Sequence, residues 1–86
     1  MNKEDPAFEL LKAASEGRAG DVRALLEKGV SANAKDKFGN TALIFAAACG
    51  HLPTVSLLLE HGADAAAQNQ VGMTAATRAA ESDTTR

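Results

Sequence analysis

Large aromatic side chains and cysteines are scarce in this chain of 86 residues, which has three Phe, no Trp, no Tyr and one Cys. The single cysteine, Cys49, excludes an internal disulfide and is typical of a reducing compartment. Nearly half of the apolar residues are Ala, so that much of the core must be built from small side chains. This composition favours helices packed closely on helices.

The sequence also lacks the charge and the apolar runs that other classes of protein require. Its formal net charge is −2, so we expect no basic surface for nucleic acid or acidic lipid. No segment approaches the roughly 18 apolar residues of a membrane-spanning helix, and the first residues contain no apolar run of signal-peptide length. We therefore expect a soluble, cytoplasmic chain with no nucleic-acid partner and no membrane partner.

An internal repeat organises the chain. A shift of 33 residues aligns residues 10–34 with residues 43–67 without a gap. Identical pairs include Leu10/Leu43, Ala13/Ala46, Gly17/Gly50, Val22/Val55, Leu26/Leu59 and Gly29/Gly62. A period of this length with two short helices per unit is typical of stacked helical arrays. The sequence therefore predicts an all-α solenoid of helix-turn-helix units with protruding turns.

Cap residues and glycines locate the helices of each unit. Asp5 followed by Pro6 predicts the start of a first helix that ends at Gly17, and a second helix is predicted from about Gly20 to Lys28. Thr41 is the predicted N-cap of the next inner helix, and Pro53 is expected to open its outer partner. A third inner helix is predicted over residues 75–81, with no outer helix after it.

The middle unit carries a pattern that resembles the ankyrin repeat family. The positions that match are Asp36, Gly39, Thr41, Leu43, Ala46, Ala47, Gly50, His51, Val55, Leu57, Leu58, Leu59, Gly62, Ala63 and Asp64. The resemblance spans about residues 5–82 and implies one ankyrin domain over residues 1–86. Its expected parts are an N-terminal capping repeat (1–35), a full repeat (36–68), a half repeat or C-terminal cap (69–83) and a tail (84–86).

Two departures from the family pattern bear on the stack. Ala42 and Ile44 replace the family's Pro and His, and since that His normally bonds neighbouring turns, some loss of rigidity is expected there. The absence of a third outer helix predicts that the face formed by Val55, Leu58 and Leu59 is partly uncovered. Either a shortened natural cap or a longer array could explain this edge.

No constellation of residues predicts catalysis. His51 and His61 are too scattered for a metal site, and Cys49 is poorly placed beside His51 for an activated thiolate. The glycines are single residues at turns rather than a phosphate-binding loop, and Asp64 is expected to bond nearby backbone groups. We expect no enzyme, no cofactor and no metal.

The remaining function is the binding of a partner at the protein surface. The resemblance to ankyrin repeats implies that this surface consists of the turn tips and the inner helices. The predicted partner-binding residues are Lys37, Phe38, Asn40, Ala48, Cys49, Gln70, Val71, Met73 and Glu81. In the first unit Ser15 and Glu16 are expected on the same side, with Lys12 and Ala7 beside them. Phe38 is the most informative because aromatic residues are enriched at binding hot spots, although it could instead fold back on the neighbouring turn; Phe45 is expected in the core.

Two functions follow from these patterns. The first is a non-enzymatic module, such as a scaffold, that binds another protein through the turn tips and the concave helix face. The alternative is a structural or assembly unit that self-associates, or stacks on further repeats, through the edge at Val55, Leu58 and Leu59.

Overall fold

Four helices arranged as two pairs make up most of residues 5–75, which are the residues that the computed structural model describes. The first unit contains α1 (Pro6–Glu16) and α2 (Ala19–Glu27). The middle unit contains α3 (Ala42–Ala48) and α4 (Leu52–Glu60). Within residues 5–75 the one strand-like feature is an isolated antiparallel bridge between Lys35 and Thr41. The predicted all-α fold is confirmed.

The starts of the two inner helices follow from their cap residues. The Asp5 side chain accepts a hydrogen bond from the backbone N–H of Ala7 at 2.9 Å, and Pro6 occupies the first turn. Thr41 Oγ1 accepts the backbone N–H of Ile44 at 3.2 Å. Each contact satisfies an N–H group that has no partner inside its helix. Both predicted caps are confirmed.

The outer helices begin slightly earlier than predicted. Helix α2 starts at Ala19 and ends at Glu27, with Lys28 as its C-cap, and α4 starts at Leu52. Pro53 is therefore the second helical residue, where its missing N–H still has no intrahelical bond to lose. Neither outer helix has a side-chain N-cap. The first residue of each outer helix therefore could not be identified from a cap residue in the sequence.

The two units stack in register. Helix α1 packs on α3 to form an inner layer, α2 packs on α4 to form an outer layer, and the helices of each unit contact each other. The largest fully buried side chains are Leu10, Leu43, Ile44, Leu58, Val22 and Thr54, surrounded by alanines. Small residues let the layers approach closely, as the composition indicates. None of the helices within residues 5–75 is long and apolar enough to cross a membrane.

Hydrogen bonds join neighbouring turns. Asp36 Oδ1 accepts the backbone N–H groups of Phe38 and Asn40, both at 2.9 Å, and so shapes the first turn. Asn69, one repeat later, shapes the next turn and donates its Nδ2 to Asn40 Oδ1 at 2.8 Å. These amide contacts link the turns although the His of the family pattern is replaced by the buried Ile44.

Val55, Leu58 and Leu59 were predicted to form a partly uncovered edge, and this prediction is wrong for Leu58. Leu58 is fully buried, because it lies on the face of α4, with Thr54 and Leu57, that faces the core. Leu59 is 45% exposed, whereas Leu26, its equivalent one repeat earlier, is only 8% exposed. Helix α4 packs on α2, and this stacking covers the side of the first unit that carries Leu26.

Part of the third unit lies outside the described residues. Residue Ala75 is helical, in agreement with the predicted start of a third inner helix. The rest of that prediction, including Glu81, falls within residues 76–86, which the structure does not describe.

Candidate protein-binding groove

A groove of about 380 Å³ opens between the inner helices and the first turn. Its apolar walls are Phe8, Leu11, Phe38 and Phe45, and its polar lining consists of Lys12, Ser15, Asp36 and Lys37. All three phenylalanines of the chain therefore line one surface. We call this surface the aromatic groove.

Helical periodicity explains the wall that α1 contributes. Phe8, Leu11, Lys12 and Ser15 are spaced by three and four residues, so they lie on one face of the helix. Leu11 is 5% exposed and Phe8 is half-buried. One edge of this helix face therefore packs into the core, and the other edge lines the groove.

Helix α3 and the first turn close the other sides of the aromatic groove. Phe45 is half-buried and packs against the core cluster. It was expected in the core, but it lies at the boundary between the core and the groove. The turn formed by residues 36–39 projects beside it, so that Phe38 faces Phe45 and α1 across the groove.

Phe38 combines a fixed backbone with an exposed ring. Its N–H is bonded to Asp36 Oδ1, and its carbonyl accepts the backbone N–H of Gln70 at 2.9 Å. The side chain is nevertheless 55% exposed. Lys37 Nζ lies 5.4 Å from the centre of the ring, a cation–π distance that is worth about 0.5–1 kcal/mol at an exposed site. Phe38 is thus held in place without being buried.

Around the aromatic groove the acidic side chains have hydrogen-bond or ion-pair partners, whereas the lysines have no ion-pair partner within residues 5–75. Lys12 and Lys37 are exposed and form no ion pair within residues 5–75. Asp36 directs both carboxylate oxygens into its own turn, where Oδ2 also lies 3.4 Å from Asn40 Nδ2. Glu16, which was expected on the same side, pairs with Arg18 Nε at 3.1 Å. The rim therefore presents two positive charges that lack a carboxylate partner in the described part of the chain.

The other predicted partner-binding residues fall outside the aromatic groove. Asn40 and Gln70 are engaged in the stack, because Asn40 accepts from Asn69 and Gln70 Nε2 donates to the Lys37 carbonyl at 2.7 Å. Val71 is 77% exposed at the tip of the next turn, and Met73 is half-buried below it. Ala48 and the exposed Cys49 lie at the end of α3.

Sequence reasoning missed Phe8, Leu11 and Phe45 as groove residues. The three-residue spacing of Phe8 and Leu11 is that of a buried helix face, yet Phe8 is only half-buried. That all three phenylalanines line one groove could be inferred only once the turn was known to fold beside α1.

The histidines have structural contacts. His51 Nε2 lies 3.1 Å from the Ser15 carbonyl oxygen and so links α4 to the end of α1. His61 Nδ1 lies 3.0 Å from the Leu57 carbonyl at the end of α4. Asp64 accepts the backbone N–H of Ala66 at 2.9 Å, as predicted. Among residues 5–75 no group of three His, Cys, Asp or Glu side chains could hold a metal ion.

A second, smaller groove lies at the far side of the middle unit. It has a volume of about 230 Å³ and is lined by Leu43, Ala47, Leu52, Val55, Leu59, Ala65 and Ala75. Leu52 is 69% exposed and Leu59 is 45% exposed. We call this surface the α4 edge.

Comparison with known proteins supports the repeat interpretation. A sequence model described as ankyrin repeats, in three copies, matches residues 10–85. No curated protein matches the sequence significantly. The match includes both described units and extends into the third.

Proposed function

Because the chain belongs to the ankyrin repeat family, we propose that it is a non-enzymatic module that binds a partner protein through the aromatic groove and the adjacent turn tips. Ankyrin repeats are in general protein–protein interaction modules and typically have no catalytic activity. The proposal treats residues 1–86 as a single domain made of an N-terminal capping repeat, a full repeat and a C-terminal half repeat. It includes a cytoplasmic location, which the free Cys49 favours.

The observation that carries the proposal is the exposure of Phe38 above an apolar groove. Large aromatic side chains that remain exposed on a small domain are unusual, since burial of apolar surface is the main source of its stability. Phe38 shares the groove with Phe8 and Phe45. Aromatic clusters of this kind are typical of the centres of protein interfaces.

The mechanism is rigid presentation. The backbone on both sides of Phe38 is fixed by Asp36 and by the carbonyl bond to Gln70. A partner therefore meets a turn that is already ordered, and little conformational entropy is lost when it binds. Val71 extends the apolar surface on the next turn tip, 77% exposed.

Affinity capture from extract of the native cell tests the proposal, with matched variants that each shorten one exposed apolar side chain. Phe38→Ala removes the centre of the aromatic groove, and Leu52→Ala removes a side chain of the α4 edge. We expect Phe38→Ala to weaken the complex by about 2 kcal/mol, the scale of a hot-spot residue, and Leu52→Ala to retain the partner. Equal recovery by Phe38→Ala and the unaltered chain would contradict the proposal.

Self-association through the α4 edge is the second candidate function. It is favoured by the difference in exposure between Leu59 and its repeat equivalent Leu26, because stacking of repeats is what covers this position in the first unit. Sedimentation over a range of protein concentrations tests it. A concentration-dependent dimer that Leu59→Glu abolishes would support self-association, and a folded monomer at every concentration would exclude it.

A further inference from the structure

We propose that the aromatic groove recognises a peptide segment of the partner protein in which one large apolar side chain is flanked by carboxylates. This inference rests on the proposed function and adds the chemistry of the partner. The apolar side chain enters between Phe8, Phe38 and Phe45, and the carboxylates meet Lys12 and Lys37 at the rim.

The size and lining of the aromatic groove suit a single large apolar side chain. Its volume of about 380 Å³ is at the small end of the range of roughly 300–1,000 Å³ found for ligand pockets. Its walls come from an aliphatic residue and three aromatic rings. Such a surface accommodates an aromatic or long aliphatic anchor with edge-to-face ring contacts.

The charge on the rim favours carboxylates in the partner. Lys12, on α1, and Lys37, on the turn, line the groove from two different elements and have no ion-pair partner within residues 5–75. The chain as a whole has a net charge of −2, so this positive rim differs in sign from the rest of the molecule. Complementary charge on a partner increases the rate of association and fixes its orientation.

The acidic groups near the aromatic groove do not cancel this rim. Among residues 5–75 Asp36 is the one carboxylate in the lining, and its oxygens accept hydrogen bonds from the backbone N–H groups of Phe38 and Asn40 and from the Asn40 side-chain amide. Glu16 is paired with Arg18. The described lining therefore carries two lysines and one carboxylate, and its net positive charge favours an acidic peptide over a basic one.

Selection from a displayed library of random peptides tests the inference with the intact 86-residue chain as bait. We expect the selected peptides to share a large apolar residue with Asp or Glu within a few positions on either side. The best of them, synthesised with a fluorescent label, is then titrated with the unaltered chain and its variants. Circular dichroism confirms that each variant is folded.

The variants separate the contribution of the lysine charges to peptide affinity from that of the shape of the groove. Lys12→Gln and Lys37→Gln should each weaken binding about two- to fivefold, the range of an exposed ion pair, and Lys37→Arg should retain affinity. Arg23→Gln is the matched control, because it removes one positive charge from the exposed side of α2, away from the groove. Salt at about 1 M should abolish the difference between the lysine variants and the unaltered chain.

Different failures have different meanings. Peptides that require Phe38 but lack acidic residues, or bind Lys12→Gln and Lys37→Gln as tightly as the unaltered chain, would overturn this inference and leave the proposed function standing. Peptides that bind Phe38→Ala without loss would overturn both. A selection that yields no binder at all would also overturn the inference, since the groove would then not recognise a peptide of this chemistry.

Discussion

The contact between Gly17 and His51 leads to a sharp prediction about the stacking of the two units. Gly17 ends α1 with φ +74°, and a Cβ atom added there would lie 2.6 Å from His51 Nδ1 and 2.9 Å from its Cγ. The whole ring, rather than a flexible end of it, would have to move. We therefore expect Gly17→Ala to destabilise the stack as well as the turn.

The expected loss in the free energy of unfolding for Gly17→Ala has two parts. Placing Ala in the left-handed region costs about 1–2 kcal/mol. Displacing the ring also breaks the contact between His51 Nε2 and the Ser15 carbonyl, which is worth about 0.5–1.5 kcal/mol. Gly17→Ala should therefore reduce the free energy of unfolding by about 1.5–3.5 kcal/mol, a large fraction of the stability of a small domain.

Gly50 provides a matched control. It occupies the equivalent position one repeat later with φ +75°, and within residues 5–75 no atom beyond its chain neighbours lies within 4 Å of a Cβ added there. Gly50→Ala should show the backbone cost alone, so that the two variants differ by about 1 kcal/mol. Urea denaturation followed by circular dichroism measures both, provided that the slopes of the transitions agree.

A double-mutant cycle decides the cause. In a His51→Ala background the ring is absent, and Gly17→Ala should then cost no more than Gly50→Ala. If Gly17→Ala and Gly50→Ala have equal effects in the unaltered chain, the close packing of His51 on Gly17 makes no contribution to stability and the reasoning is refuted.

Three further predictions concern single side chains. Thr54→Val should raise the free energy of unfolding by up to about 1 kcal/mol, because the buried Thr54 hydroxyl has no hydrogen-bond partner in the described part of the chain; a loss measured by urea denaturation would contradict this. Asn69→Asp should cost about 0.5–1.5 kcal/mol by removing the donor to Asn40, and an unchanged thermal midpoint would argue against that bond between the turns. Asn69→Ala should cost more because the bonds within the turn are lost as well, and a shift equal to that of Asn69→Asp would argue against the turn bonds. Phe38→Ala should lower the free energy of unfolding by no more than about 1 kcal/mol, since the residue is 55% exposed and the contact of its ring with Lys37 is worth about 0.5–1 kcal/mol; a loss of about 3 kcal/mol, the scale of a buried Phe, would instead assign Phe38 to packing.

Local signals in the sequence predicted the helices well. Asp5 with Pro6 and Thr41 are caps whose function depends on residues only a few positions away, and both formed as expected. The repeat period indicated that α1 lies over α3 and α2 over α4, because units with the same sequence pattern stack on one another.

Contacts between distant elements were harder to predict. Leu58 and Leu59 are adjacent and chemically identical, yet one is buried and the other is 45% exposed, which depends on the orientation of α4 against α2 and α3. The aromatic groove requires Phe8 and Phe38, 30 residues apart in the sequence, to lie beside each other. Helical periodicity identifies a buried face but does not indicate which neighbour covers it.

The central claim is that the aromatic groove is the partner-binding site. Backbone amide NMR spectra of the labelled chain, recorded while a selected peptide or the captured partner is added, test it most directly. If the groove binds the partner, the largest shift changes should occur at the residues that line it, namely Phe8, Ser15, Lys37, Phe38 and Phe45. Changes concentrated instead at Leu52, Val55 and Leu59, with the groove unaffected, would contradict it and assign binding to the α4 edge.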